Sequence, residues 1–178
     1  YKDNSLELIR DTALRADTKA CTVYLESGRT LPYDALLIAT GSTPSLYDWP
    51  GQDLEGVQGL YSLQDLQKLE ENARSAHHAV IVGGGLIGVE LAEMLHSRKI
   101  PVSMLVRENS YASHILPPEE SELVNFEIRK HRIALHLGES LKEITGTTRA
   151  SGVTTVSGRE IKCNLVGLTA GVSPNTGF

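Results

Sequence analysis

From His78 to Leu95 the chain reads HAVIVGGGLIGVELAEML. A short apolar run is followed by Gly83-Gly84-Gly85-Leu86-Ile87-Gly88 and then by a strongly apolar stretch of helix formers. That order specifies a strand, a tight glycine turn and a helix, the opening of a βαβ unit whose backbone can approach a dinucleotide pyrophosphate. Gly83 permits the sharp turn out of the strand, Gly85 carries no side chain to block the phosphates, and Gly88 lets helix and strand pack closely. The unpaired N–H groups over residues 85–88, Leu86 and Ile87 included, would face the anion with the positive end of the helix dipole behind them.

The surrounding pattern agrees with a doubly wound sheet. Strands are predicted at 78–82, 101–106 and 133–137, alternating with helices at 86–97 and 118–131. Pro117, Pro118, Glu119 and Glu120 make a favourable helix start, and Val124 with Ile128 gives that helix an apolar seam. Upstream, Leu63, Leu66 and Leu69 predict a helix over 62–73, with Ser62 as N-cap and Asp65 in the capping-box position. Ala20–Leu25 and Thr30–Leu31 read as a hairpin. Tyr33–Gly41 is a nearly continuous apolar run, expected as a strand buried on both faces. Residues 140–161 read as an antiparallel meander turning at Gly146 and Ser157-Gly158, and Leu165–Gly171 as one more buried strand.

Composition narrows the partners. The 178 residues carry a net charge of −5 with acids and bases interspersed, so no basic stripe offers itself to a nucleic acid. No run approaches the roughly 18 apolar residues of a membrane span, and no signal peptide is visible, which leads to an expected cytoplasmic location. Cys21 and Cys163 belong to no CxxC pair and read as structural thiols. His77, His78, His96, His114, His131 and His136 show no metal-ligand spacing. A start at Tyr1 and an end in SPNTGF read as a piece cut from a longer chain.

Three segments, YDALLIATGSTP at 33–44, AVIVGGGLIGVELAEML at 79–95 and LVGLTAGVSPN at 165–175, together resemble the pyridine nucleotide-disulfide oxidoreductase superfamily of flavoproteins. The resemblance covers nearly the whole chain, and GQDLEGVQGLYSLQDLQKLEE at 51–71 is more similar to its NADH oxidase, rubredoxin reductase and nitrite reductase branch. It implies a Rossmann-like three-layer α/β domain with a central parallel sheet and an antiparallel meander, flanked by remnants of an FAD domain. Residues 1–45 would be one such remnant, 46–172 the NAD(P)H-binding domain, and 173–178 the segment returning towards FAD. In that family the FAD-binding glycine motif lies nearer the N-terminus, and none precedes Ala39 here, so the loop at 83–88 would bind NAD(P)H while FAD belongs to the full-length protein.

The resemblance also assigns residues. Glu90, in the pattern GxGxxGxE, would lie near the nicotinamide and its ribose. Ala170 and Gly171 would form a small-residue ledge against the nicotinamide. Where the strand ends at Val106, an acid would bind the ribose 2′-OH and an Arg would pair with a 2′-phosphate. Val106 holds the acidic position and Arg107 follows, as in NADPH-using glutathione reductases, yet Glu108 could repel that phosphate and Gly88 rather than Ala leans to NAD. The expected activity is hydride passage from NAD(P)H to FAD and on to an unidentified acceptor, a redox protein being one candidate, with no acid, base or nucleophile in these residues. The remaining FAD and interface regions of the same chain would be its other partners. Two alternatives stand beside it: a Rossmann-like methyltransferase using S-adenosylmethionine, which leaves the segments at 33–44 and 165–175 unexplained, and a nucleotide-sensing module without turnover.

Overall fold

A computed structural model of the chain describes Asn4 and residues 6–177. By its internal contacts the chain falls into two units, Tyr1–Ser42 with Pro174–Phe178, and Thr43–Ser173. In the first unit β1 (Ala13–Asp17), β2 (Thr22–Leu25) and β3 (Thr30–Pro32) form an antiparallel sheet in that order. The β2–β3 hairpin turns at Gly28, whose φ is +85°, and Val23 and Leu25 point into the small core. β1 has no signature in the sequence pattern.

Tyr33–Gly41 departs from expectation. It is irregular rather than a strand buried on both faces, with Leu37 89% and Ile38 57% exposed. A strand persists only when its N–H and C=O groups find a ladder partner, and none of the described residues pairs with 35–39. Its apolar run marks residues suited to burial, but the partner that would make them a strand is not among those described.

The second unit is a three-layer sandwich. β5 (Val57–Gln58), β6 (Ala79–Val82), β7 (Val102–Val106), β8 (Ala134–Leu137) and β12 (Leu165–Leu168) form one parallel sheet in the order β5-β12-β6-β7-β8. Helices α1 (Leu63–Ala73), α2 (Leu86–Ser97) and α3 (Pro118–Lys130) contribute to the core on one face. On the other lies the antiparallel meander β9 (Leu141–Gly146), β10 (Ala150–Thr155) and β11 (Glu160–Lys162). Two short strands, Ser42–Pro44 (β4) and Val172–Pro174 (β13), pair with each other.

Strand alternation divides the core in two. Ala79, Ile81, Met104, Val106 and Leu165 join Leu91, Ala92 and Leu95 of α2 and Ile128 of α3. Their neighbours Val80, Val82, Leu105, Val166 and Leu168 join Leu141, Ile144 and Val153 of the meander. Each fully buried aliphatic side chain contributes about 1.5–3 kcal/mol, so both faces of the central strands must be apolar. That is why they read as continuous runs rather than as an alternation. The α1 capping box forms as read: Ser62 Oγ accepts from the Asp65 N–H at 3.2 Å, and Asp65 Oδ2 accepts from the Ser62 N–H at 2.8 Å.

One polar spot interrupts the meander side of the sheet. His78 Nε2 and Ser103 Oγ share a hydrogen bond of 3.0 Å, and Ser103 is 2% exposed. Burial, then the charges of His77 and His136, hold the His78 imidazole below its usual range. His136 is held down by burial and Arg159 against the pull of Glu139. The unfolded chain therefore takes up protons that the folded chain refuses. The stability these rings lend is complete above the ordinary value of 6.5 and is lost as the pH falls below it. We expect a melting temperature a few degrees lower at about pH 5.5 than at about pH 7.5, with the difference reduced in His78→Gln. Equal melting temperatures for the unsubstituted chain at the two pH values would remove this account.

Candidate functional site

A cleft of about 630 Å³ opens at the carboxyl ends of β6, β7, β8 and β12, the edge at which open parallel sheets bind ligands. Val82–Ile87 form its floor after β6, Arg107 and Glu108 follow β7, Glu139 and Ser140 follow β8, and Thr169–Val172 follow β12. The volume lies within the range of small-molecule and cofactor sites.

The glycine loop takes its shape from close contacts. Gly83 has φ +129°, and a Cβ there would lie 2.4 Å from the Thr169 carbonyl oxygen. Thr169 is held in place by two bonds to the Val82 carbonyl, from its N–H at 2.9 Å and from Oγ1 at 3.0 Å. A Cβ on Gly88 would come within 2.8 Å of the Gly83 carbonyl oxygen and 3.0 Å of Thr169 Oγ1, so the first turn of α2 can rest on the loop only without a side chain. Gly85 is different. Its backbone is extended (φ −101°, ψ 178°), and a Cβ there would meet no atom within 4 Å. It is the N-cap of α2 and supplies no side-chain cap, so the first N–H groups of the helix have no side-chain acceptor at that position.

Among the cleft-lining residues two carboxylates occur, and each is engaged by an arginine. Glu108 Oε1 accepts from Arg107 Nε at 3.2 Å and from Arg107 Nη2 at 2.9 Å. Burial works to raise the Glu108 pKa, but the Arg107 hydrogen bond and charge, with His114 nearby, bring it below the usual carboxylate range. Glu139 accepts from Ser157 Oγ at 2.7 Å and Arg159 Nε at 3.2 Å. The Ser157 bond, opposed by slight burial and aided by Arg159, lowers its pKa too. With both acids occupied and a helix N-terminus at the floor, the cleft is fitted to an anion.

Gly83, Gly85, Leu86, Ile87, Arg107, Ala170 and Gly171 thus meet in one cleft. Gly88 supports it from beneath. Glu90 does not join them: it is exposed on α2 and is not among the lining residues. Sequence periodicity gave no sign of the aromatic wall, Tyr47 and Trp49, whose rings stand 5.0 Å apart at 45°. The Tyr47 hydroxyl donates to the Ala170 carbonyl at 3.2 Å, and the Ser45 N–H donates to the Gly171 carbonyl at 3.0 Å. The connection thereby lies along the ledge at 170–171. His114 and Ile115, also unannounced, complete the rim. The only signal for Tyr47 and Trp49 was two aromatics in a proline-bounded loop.

The family model described as "Pyridine nucleotide-disulphide oxidoreductase" matches residues 2–178. A nitrite reductase [NAD(P)H] of Bacillus subtilis (strain 168) is 30% identical over 177 residues, which are 99% of this chain and 22% of that protein. Among solved structures, a ferredoxin reductase from Rhodopseudomonas palustris superposes with a TM-score of 0.92 at 28% identity, covering 98% of this chain and 43% of the other. The water-forming NADH oxidase from Lactobacillus brevis, bound to NADH, gives 0.81 at 26% identity, covering 93% of this chain and 38% of the other. An engineered variant of that oxidase, bound to NADPH, has the same scores. It exchanges a Gly for Ala and, eighteen positions later, an Asp–Ala pair for Ala–Arg. The chain thus spans from about a fifth to about two fifths of the length of these proteins.

Proposed function

Because this chain belongs to the pyridine nucleotide-disulphide oxidoreductase family, whose members use FAD and NAD(P)H, we propose that Thr43–Ser173 is the NAD(P)H-binding domain of an FAD-dependent reductase and that the other unit is part of the FAD domain. Membership sets aside the methyltransferase alternative. The observation that carries the reading is the glycine loop, open at Gly85 and uncapped at the start of α2, facing a cleft whose acids are already paired.

The residues divide the work of holding a dinucleotide. The N–H groups at the start of α2 take the pyrophosphate, and Gly85 leaves room for it. Ala170 and Gly171, with Tyr47 and Trp49 beside them in the cleft lining, would hold the nicotinamide against small surfaces. When bound, the nicotinamide supplies a hydride and the flavin accepts it. The protein contributes orientation and electrostatics, and the electrons pass on to an acceptor of the whole protein.

Arg107 decides the adenosine end. The spacing that separates the exchanged positions in the NADPH-bound oxidase variant separates Gly88 from Val106 and Arg107 here. This chain combines the Gly of the NADH-bound enzyme with a non-acid followed by Arg, as in the NADPH-bound one. We read it as accepting NADPH at least as well as NADH, with Arg107 turning from Glu108 to the 2′-phosphate.

Calorimetric titration of the chain with NADH and with NADPH tests both statements. Arg107→Ala should weaken NADPH about tenfold or more, the worth of a charge-assisted bond, and leave NADH nearly unchanged. Equal losses for the two would remove Arg107 from the 2′-phosphate, and binding of neither nucleotide by the unsubstituted chain would overturn the domain assignment.

A further inference from the structure

Tyr111 lies in the loop between β7 and α3, is 3% exposed, and donates its hydroxyl to the carbonyl of Gly85. That carbonyl is the first acceptor of α2, also bonded by the Gly88 N–H at 3.0 Å and the Val89 N–H at 3.3 Å. The Tyr111 backbone is pinned in turn: its N–H donates to Asn125 Oδ1 at 3.0 Å, and Asn125, fully buried on α3, donates through Nδ2 to Ser110 Oγ at 2.8 Å and Glu122 Oε1 at 3.1 Å. Burial, partly offset by the Val89 backbone and reinforced by Glu90, raises the phenol to about 12. It therefore stays a donor throughout the neutral range.

The strut matters because of what it holds. Gly83, Gly84 and Gly85 are the least restrained residues a backbone can have. Gly83 and Gly88 lie close against Thr169, and Gly84 against Val106, but a Cβ on Gly85 would meet no atom of the described residues within 4 Å. A hydroxyl fixed to α3 and bonded to the Gly85 carbonyl sets the plane of the Gly85–Leu86 peptide, and with it the direction of the Leu86 N–H at the cleft floor. Ordering the loop before the ligand arrives removes part of the entropy that binding must otherwise supply.

From this geometry we propose that Tyr111 is a positioning residue for the nucleotide site, which acts on pyrophosphate affinity through the Gly85 peptide and touches no ligand itself. The inference rests on the reading of the cleft as the NAD(P)H site. It goes beyond that reading in assigning a role to a residue outside the cleft lining.

Tyr111→Phe keeps the buried ring and removes only the donor. NADH and NADPH should both bind about three- to tenfold more weakly, the worth of one neutral hydrogen bond. Amide hydrogen exchange, followed by NMR in the ligand-free chain, should quicken at Leu86, Ile87 and Gly88 and stay unchanged in β6 and β7. A merely structural role would instead lower the melting temperature and raise exchange throughout the sheet, and that result overturns the proposal. So does unchanged affinity in a variant whose parent binds, an outcome that leaves the nucleotide site itself standing. If the parent chain binds neither nucleotide, the site assignment falls and takes this inference with it.

Discussion

Gly85→Val is expected to weaken NADH and NADPH binding by at least about a hundredfold while shifting the melting temperature by no more than a few degrees. The two halves of that result have separate causes. The Gly85 backbone is extended, a conformation any L-residue adopts, and a Cβ there meets no protein atom within 4 Å. Valine therefore fits the ligand-free fold, at the small disadvantage of a β-branched N-cap. Its methyl groups would occupy the side of the loop from which phosphate oxygens must come within hydrogen-bonding distance of the α2 N–H groups. Calorimetry and a thermal melt on the same preparation measure both halves. Parent-like affinity would place the pyrophosphate elsewhere, and a large loss of stability would mean that Gly85 is needed by the fold rather than by the ligand.

Gly83→Ala should give the opposite result, a protein destabilised by about 3 kcal/mol or more, with its melting temperature lower by about 6–12 °C. At φ +129° an alanine is strained whatever surrounds it, and its Cβ would lie 2.4 Å from the Thr169 carbonyl oxygen and 2.8 Å from its carbon. Those are backbone atoms, held by two hydrogen bonds to Val82, and they cannot swing aside as the end of a side chain could. Thermal or denaturant unfolding checks the loss. A melting temperature within about 2 °C of the parent would show that the turn after β6 can yield.

The contrast between these two glycines shows how far a motif can be read. GxGxxG places three glycines in a row of roles, and all three hold in the structure: a left-handed turn at Gly83, open space at Gly85, close packing at Gly88. The helix over 86–97, the capping box of Ser62 and Asp65, and the meander turning at Gly146 and Gly158 were legible for the same reason. Each is governed by residues near in sequence and by the period of the pattern. Tyr33–Gly41 was misread because its apolar run describes a burial that neighbours must supply. Glu90, which the resemblance sets near the nicotinamide and its ribose, is exposed on α2 and outside the cleft lining, and its role stays a proposal.

The sequence by itself determined the central β6–α2–β7 unit, the meander and the family to which the chain belongs. Local backbone preference, side-chain periodicity and glycine sterics act over a few residues and leave their mark on the order of the letters. Only the tertiary structure decided what meets across the cleft. It brought Tyr47 and Trp49 beside Ala170 and Gly171, joined Glu108 to Arg107 and Glu139 to Arg159, and set the hydroxyl of Tyr111 on the carbonyl of Gly85. Of these, only the Arg107–Glu108 pair joins neighbours in the chain. The others are juxtapositions of residues from separate elements, produced by packing three helices and a meander on opposite faces of one sheet, and no local pattern encodes which side chains such packing will bring together.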